Sequence, residues 1–354
     1  LTETSFFSDI SSRQFKPDAV LDLRAGNGRA LIISDLHMGE GRSDDLAENG
    51  ELLINMLQNY YFAQGWFLVL NGDIEELQRF SMDRIQERWL SLFKIFNLFA
   101  EQNRLYKLIG NHDEELLLRK SHKYPLYKII RIDTNYIPAY VFHGHQSSRI
   151  YTKYNKMLGA AVRYLMKPFG IKNISSGRSP YKRFHVEKAA YNFSLENHCI
   201  SIIGHTHRPL FESLGRFDYI KFQIEKLCRD YPASSSEEKL RIETEVIALK
   251  HDLGKLRRKE RRNVLRQSLY GDSLPVPCLF NSGCAIGKKG LNAIELTADD
   301  IALVYWYAEG QERRFISRGG YEIEELAGTK YRRAVLNLDR LDYILARINL
   351  LGAR

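Results

Sequence analysis

Cysteine is scarce in this chain: four in 354 residues, at Cys199, Cys228, Cys278 and Cys284, with no Cys-x-x-C pair. Such a set neither staples a chain of this length nor builds a thiolate metal site, and a reducing compartment is the simplest expectation. Long apolar runs are also missing, so no transmembrane helix is expected. Leu1–Ser12 have neither a basic start nor an apolar stretch, and no signal peptide is expected. Together these point to the cytoplasm, with peripheral contact at the inner membrane left open. No internal repeat and no low-complexity tract is evident.

What is present is an ordinary globular balance, 44% hydrophobic and 27% charged, with 12% aromatic residues to fill a core. The length suits one large catalytic domain with insertions, or two ordinary domains. A formal charge of +9 suits anionic substrates, nucleic acid or an acidic membrane surface without choosing among them.

Apolar runs predict strands at about Ala19–Leu23 and Ala30–Ser34, joined by a Gly26-Asn27-Gly28 hairpin signal. Helical periodicity follows at Asp45–Gln64 and Asp83–Ala100, with strands at Trp66–Leu70 and Leu105–Ile109. Further strands are expected at Ala139–Phe142, Ile200–Ile203, Leu279–Ser282, Asn292–Glu295 and Ile301–Trp306. Alternating strands and helices indicate an α/β layered fold, and the late strands without helices imply an antiparallel part. A catalytic domain is expected over 1–310. It carries two insertions: a helical one at 148–197 and a charged helical hairpin at 217–269. A basic, partly helical tail is expected at 311–354, ending in an amphipathic stretch at Arg333–Leu351.

The informative feature is where histidine, aspartate and asparagine fall. Asp35 and His37 follow one strand and Asp73 the next, in Asn71-Gly72-Asp73. Asn111, His112 and Asp113 stand behind Gly110; His143 and His145 follow Ala139–Phe142; His205 and His207 follow Ile200–Ile203 in Gly204-His205-Thr206-His207. Any one of these could be a capped turn. Five strand ends of this kind in one α/β chain point to a shared metal site, because ligands collect at the carboxyl ends of strands. The glycines at 72, 110, 144 and 204 allow the sharp turns and close approach such a site needs. Carboxylate, imidazole and amide oxygen donors suit divalent ions, a carboxylate can bridge two of them, and two ions about 3.5–4 Å apart can clamp an in-line phosphoryl displacement.

At these residues the chain resembles the calcineurin-like metallophosphoesterase superfamily: Asp35-x-His37, Gly72-Asp73, Gly110-Asn111-His112-Asp113, His143, and Gly204-His205-x-His207. The resemblance implies a four-layer α/β/β/α sandwich. It also implies hydrolysis of a phosphomonoester, phosphodiester or pyrophosphate bond by a hydroxide bridging two divalent ions. Manganese is the first choice, with iron or zinc as alternatives. Asp35, His37 and His207 would hold one ion and Asn111, His143 and His205 the other, with Asp73 between them. His112 would stabilise phosphoryl charge or protonate the leaving oxygen, and Glu76 would orient His112. His145 lies outside the core pattern and is expected either to support a ligand from behind or to line the pocket as a substrate-binding residue.

The closer likeness is to the UDP-2,3-diacylglucosamine hydrolase branch, through Ser34-Asp35-Leu36-His37, Gly72-Asp73-Ile74-Glu75-Glu76 and His207-Arg208-Pro209. That branch has Arg where this chain has His112, and Asp where it has His145. Arg208, Arg149 and Lys153 are candidates for meeting a phosphorylated or lipid-linked substrate. The helical face Tyr154, Met157, Leu158, Ala161, Tyr164 and Leu165 is expected to pack on the core rather than cover an acyl chain. Lys255–Arg266 is basic and is expected to be a solvated face. Nucleic acid is a less favoured partner, because no base-stacking module is evident, which leaves a nuclease as the secondary reading. A non-catalytic scaffold, or a homodimer paired through the hairpin, is the remaining alternative.

Overall fold

A computed structural model describes residues 17–40, 46–119, 122–145, 180–211, 220, 224, 227–228, 231–263, 276–286, 289–313, 316 and 321–352. Leu1–Phe211 with Cys278–Arg354 form one compact unit and Glu212–Pro277 a second.

In the first unit, β1 (Ala19–Asp22), β2 (Arg29–Ile33), β3 (Phe67–Asn71), β4 (Leu105–Leu108) and β5 (Leu126–Tyr127) come early, followed by β6 (Ile129–Asp133), β7 (Ala139–Phe142), β8 (Ile200–Ile203) and β9 (Leu210–Phe211). After the second unit come β10 (Leu279–Asn281), β11 (Leu291–Thr297), β12 (Asp300–Ala308), β13 (Glu322–Glu325) and β14 (Tyr331–Arg340). The helices are α1 (Gly50–Asn55), α2 (Met82–Arg88), α3 (Leu90–Glu101), α4 (Pro180–Glu196), α5 (Ser236–Asn263) and α6 (Leu341–Leu351). The strands build two sheets, ordered β1-β6-β7-β8-β10-β9 and β13-β14-β12-β11-β2-β3-β4-β5. This is a mixed α/β sandwich, as the sequence indicates.

The central strands are apolar on both faces, the pattern of strands covered from both sides. Leu31, Ile33, Leu68 and Leu70 join the helix-side core, which also takes Leu92, Phe96 and Phe99 of α3. Ala30, Ile32 and Val69, on the opposite face, are fully buried too. On the six-stranded sheet α4 lies against β7, its Phe193 ring meeting Tyr140 and Phe142 at 5.8 and 6.3 Å.

Several expectations need correcting. β1 and β2 are not a hairpin: β1 pairs in parallel with β6, and β2 in parallel with β3, so they belong to different sheets. The Gly26 turn is real, with φ 67°, but it hands the chain from one sheet to the other. The helix read across 83–100 breaks at Trp89, whose backbone leaves the helix (φ −109°, ψ 27°) while its indole donates to the Gly39 carbonyl at 3.2 Å. The helix read across 45–64 changes at Met56–Phe62 to π-type winding, which presents Tyr60 and Tyr61 together to the core. Tyr61 donates to Glu295 at 2.6 Å and accepts from the Trp306 indole at 2.9 Å.

Residues 311–354 are not a tail. They supply β13 and β14 to the large sheet, β14 pairing with β12 from Asp300↔Arg340 to Ala308↔Tyr331. The basic residues hid this strand: Arg333 turns inward and forms a two-point pair with Glu295, at 2.8 Å from Nε and 2.5 Å from Nη2. The late strands β11, β12 and β14 are antiparallel, as their spacing suggested.

In the second unit, α5 carries Ile242, Val246, Leu249 and Leu253 on its buried or half-buried face. It begins at a capping box, Ser235 accepting from the Glu238 N–H while Glu238 accepts from the Ser235 N–H. Most of the expected first arm of the hairpin lies outside the described residues, as do the side chains of its basic run. Among the described residues no helix is long and apolar enough to cross a membrane.

Candidate metal centre

The parallel strands β2, β3 and β4 of one sheet and β7, β8 and β10 of the other end at the same edge of the sandwich. The sheets are tied there by polar groups. Asn71 Nδ2 reaches the carbonyls of Phe142 and Ile202 at 3.3 and 3.4 Å, and Ser34 Oγ lies 2.9 Å from Ser282 Oγ. The five predicted strand ends therefore meet.

Asp35 Oδ1 is 3.1 Å from His207 Nε2, and His37 Nε2 is 3.2 Å from the same nitrogen. His37 Nε2 stands 3.9 Å from both Asp35 Oδ1 and Asp73 Oδ2. On the other side of Asp73, His143 Nε2 approaches Oδ2 at 3.1 Å, and the donor atoms of Asp73, His143 and His205 lie within 4.8 Å of one another. Asn111 Oδ1 is buried without a hydrogen-bond partner. Asp73 thus belongs to two donor groups, one with Asp35, His37 and His207 and one with His143 and His205.

The backbone is held unusually to achieve this. Asp35, His37, Asp73, His205 and His207 all have φ between 47° and 63°, a region that costs a non-glycine residue about 1–2 kcal/mol. Such conformations persist where the surroundings over-determine them, and they cluster at working sites. Gly110 makes one approach feasible: a Cβ there would lie 2.1 Å from Asp73 Oδ1 and 2.3 Å from Asp73 N. Asp113, fully buried, locks the same two loops by accepting from Gly110 N and Ile74 N, both at 2.7 Å.

Glu76 lies 2.9 Å (Oε1) from His112 Nδ1 and 3.0 Å (Oε2) from His37 Nδ1, so one carboxylate holds two imidazoles. With Nδ1–H donated to Glu76, His37 presents its Nε2 lone pair to the cluster, the tautomer a metal ligand needs. His112 Nε2 is 4.0 Å from Asp73 Oδ2 at the more exposed side of the group.

The electrostatics call for cations. Burial pushes Asp35 toward protonation, but His207 and His143 more than offset it and hold the carboxyl at about 2. Burial likewise opposes ionisation of Glu76, and the His112 and His37 hydrogen bonds bring it to about 2. Burial disfavours charge on His143, yet Asp73 and Asp35 raise it to about 10. His112 is raised to about 9 against burial by Asp73 and Glu76. His205 goes the other way, to about 3, through burial and the charge on His143. Protons on imidazole here stand where positive charge is wanted. Facing nitrogens and carboxylate oxygens just over 3 Å apart fit this, because donors on one ion with bonds of about 2.1 Å at right angles are separated by roughly 3 Å. The donor set, the unpartnered Asn111 oxygen and the spacing all fit divalent metal.

Of four further candidates, the described residues include two, His145 and Arg208. His145 is buried with its ring 5.4 Å from that of His143 and 6.3 Å from that of His205, and burial followed by the His143 charge pushes its pKa far down. Arg208 forms a two-point pair with buried Glu187, at 2.6 Å from Nη2 and 3.3 Å from Nε. Arg149 and Lys153 lie outside the described residues, as does the apolar face from Tyr154 to Leu165. Sequence reasoning passed over Asn71, Asn281, Asp113 and Glu187, whose side chains hold the loops. Asn71 and Asp113 stood in the motifs Asn-Gly-Asp and Gly-Asn-His-Asp without being given a role, and Glu187 had no signal.

The calcineurin-like phosphoesterase family model matches residues 28–233, more than half of the chain, and the chain belongs to that family. No curated protein matches it. Among solved structures it is similar to Yfce, a phosphoesterase from E. coli, at 13% identity and TM-score 0.33, over 77% of this chain and 91% of that one. It is also similar to Vacuolar Protein Sorting 29 from Cryptosporidium parvum, at 12% identity and TM-score 0.33, over 81% and 94%. Likeness at these scores carries no weight for function.

Proposed function

We propose that this chain is a two-metal hydrolase of a phosphorus–oxygen bond in a phosphate ester or pyrophosphate. The observation that carries the reading is Asp73 seated between two donor groups, with His37 and His207 nitrogens 3.2 Å apart on one side and His143 at 3.1 Å on the other. Asp35, His37 and His207 would hold one divalent ion and Asn111, His143 and His205 the other, with Asp73 shared. Such ions polarise a phosphoryl oxygen and lower the pKa of a water molecule. Manganese is the first ion to test and iron and zinc the comparisons, since oxygen and nitrogen donors accept all three.

His112 supplies what the ligands do not. Glu76 occupies its Nδ1, so Nε2 faces the cluster and, in the imidazolium form, donates a hydrogen bond to phosphoryl oxygen or a proton to the leaving oxygen. Among substrates, a small or lipid-linked phosphate fits the sequence likeness to the UDP-sugar hydrolase branch. His112 in place of that branch's arginine makes simple monoesters and diesters the first compounds to try. The test is turnover of p-nitrophenyl phosphate and bis-p-nitrophenyl phosphate with added manganese. Asp73→Asn should abolish it, and an Asp73→Asn variant with wild-type turnover sinks the two-metal reading.

A further inference from the structure

The turn Gly204–Arg208 supplies one donor to each ion position, through His205 and His207. Both residues sit in the left-handed region, with φ 63° and 55°, and Thr206 between them is completely buried. A turn this strained needs outside support. From β10, Asn281 Nδ2 donates to the Gly204 carbonyl and to Thr206 Oγ1, both at 3.0 Å. From α4, Glu187 Oε1 accepts the Thr206 hydroxyl at 2.9 Å, and its carboxylate pairs with Arg208. The donor order is unambiguous: the asparagine amide nitrogen can only donate and the carboxylate only accept, so the hydroxyl accepts from one and gives to the other.

We infer that Glu187 is a positioning residue of the metal centre, holding the His205–His207 turn through Thr206 and Arg208; this rests on the two-metal reading above. Glu187 is 2% exposed, and burying a carboxylate costs several kcal/mol that an apolar side chain would not incur. Packing alone does not explain it. What the carboxylate adds is direction: it fixes the residue between two ligands and the residue after the second. Glu187 also stands on α4, the helix that directly precedes β8 in the chain. The position of α4 is thereby linked to the placement of His205 and His207.

The experiment uses the full chain, stripped of metal and titrated with Mn²⁺, with the free aquo ion read by electron paramagnetic resonance. Glu187→Ala and Thr206→Val should each weaken Mn²⁺ binding by about 10- to 100-fold, the usual cost of losing a group that orients metal ligands. Glu187→Gln, whose amide oxygen can still accept from Thr206, should restore most of the affinity. Near-UV circular dichroism establishes that each variant is folded; where Glu187→Ala fails to fold, Thr206→Val decides, since it removes only the hydroxyl. Folded variants that bind Mn²⁺ as tightly as wild type, with any loss confined to thermal stability, overturn the inference alone. A wild-type chain that binds no Mn²⁺ overturns the metal reading and this inference with it.

Discussion

Glu76 serves two imidazoles with one carboxylate, which gives Glu76→Ala two separable effects. Its oxygens lie 3.0 Å from His37 Nδ1 and 2.9 Å from His112 Nδ1, and each hydrogen bond to a charged group is worth about 1.5–3 kcal/mol net. Loss of the first frees His37 to rotate or change tautomer. Mn²⁺ affinity should fall about 10- to 100-fold, or roughly 1.4–2.7 kcal/mol. Loss of the second unfixes His112 and should lower kcat, measured at saturating Mn²⁺, by about 100- to 10,000-fold, the range of a positioned general acid. The assay is a Mn²⁺ titration of the metal-stripped chain, paired with p-nitrophenyl phosphate turnover at saturating metal. His112→Ala alone should show the loss in kcat with little loss of Mn²⁺ affinity, since the proposed ligand sets leave His112 out. If Glu76 acts on turnover through His112, the double variant is no slower than His112→Ala. Fully additive losses in kcat, or unchanged Mn²⁺ affinity in Glu76→Ala, refute the reasoning.

Two further outcomes follow from the loops behind the ligands. Gly110→Ala places a Cβ 2.3 Å from the Asp73 backbone nitrogen, a clash no rotamer change relieves; it should destabilise the chain by about 1–3 kcal/mol in urea unfolding and abolish Mn²⁺-dependent turnover, and a fully active variant would show the approach is not needed. Lys107→Met removes the ion-pair partner of fully buried Glu75, which should cost about 3–5 kcal/mol in urea unfolding; pairing it with Glu75→Leu should recover most of that loss.

The site was more legible in the sequence than the fold around it. Ligand chemistry needs particular residue types, so Asp35, His37, Asp73, Asn111, His143, His205 and His207 stand out as letters behind apolar runs. Strands β7 and β8 were equally plain, because both are short, apolar and bounded by glycine or polar residues. β14 was not, since Arg333 on it looks like surface charge until Glu295 is seen opposite. The pairing of β1 with β6 was hidden for another reason: β6 lies more than a hundred residues away, and the Gly26 turn carries the same local signal whether its strands pair with each other or part.

By itself, then, the sequence determined the family and a set of candidate donors, because strand ends followed by Asp, His and Asn can be read locally. It also determined the α/β class, through alternating periodicity. Only the tertiary structure decided which side chains hold those donors in place. Asp113 spanning Gly110 and Ile74, Glu76 shared by His37 and His112, and Glu187 reaching Thr206 and Arg208 are contacts between distant segments. Arg208, a plausible phosphate contact as a letter in the chain, is in the fold a partner for a buried carboxylate. The difference is physical: a ligand is chosen by its own chemistry, whereas the group that orients it is chosen by what the fold brings within about 3 Å.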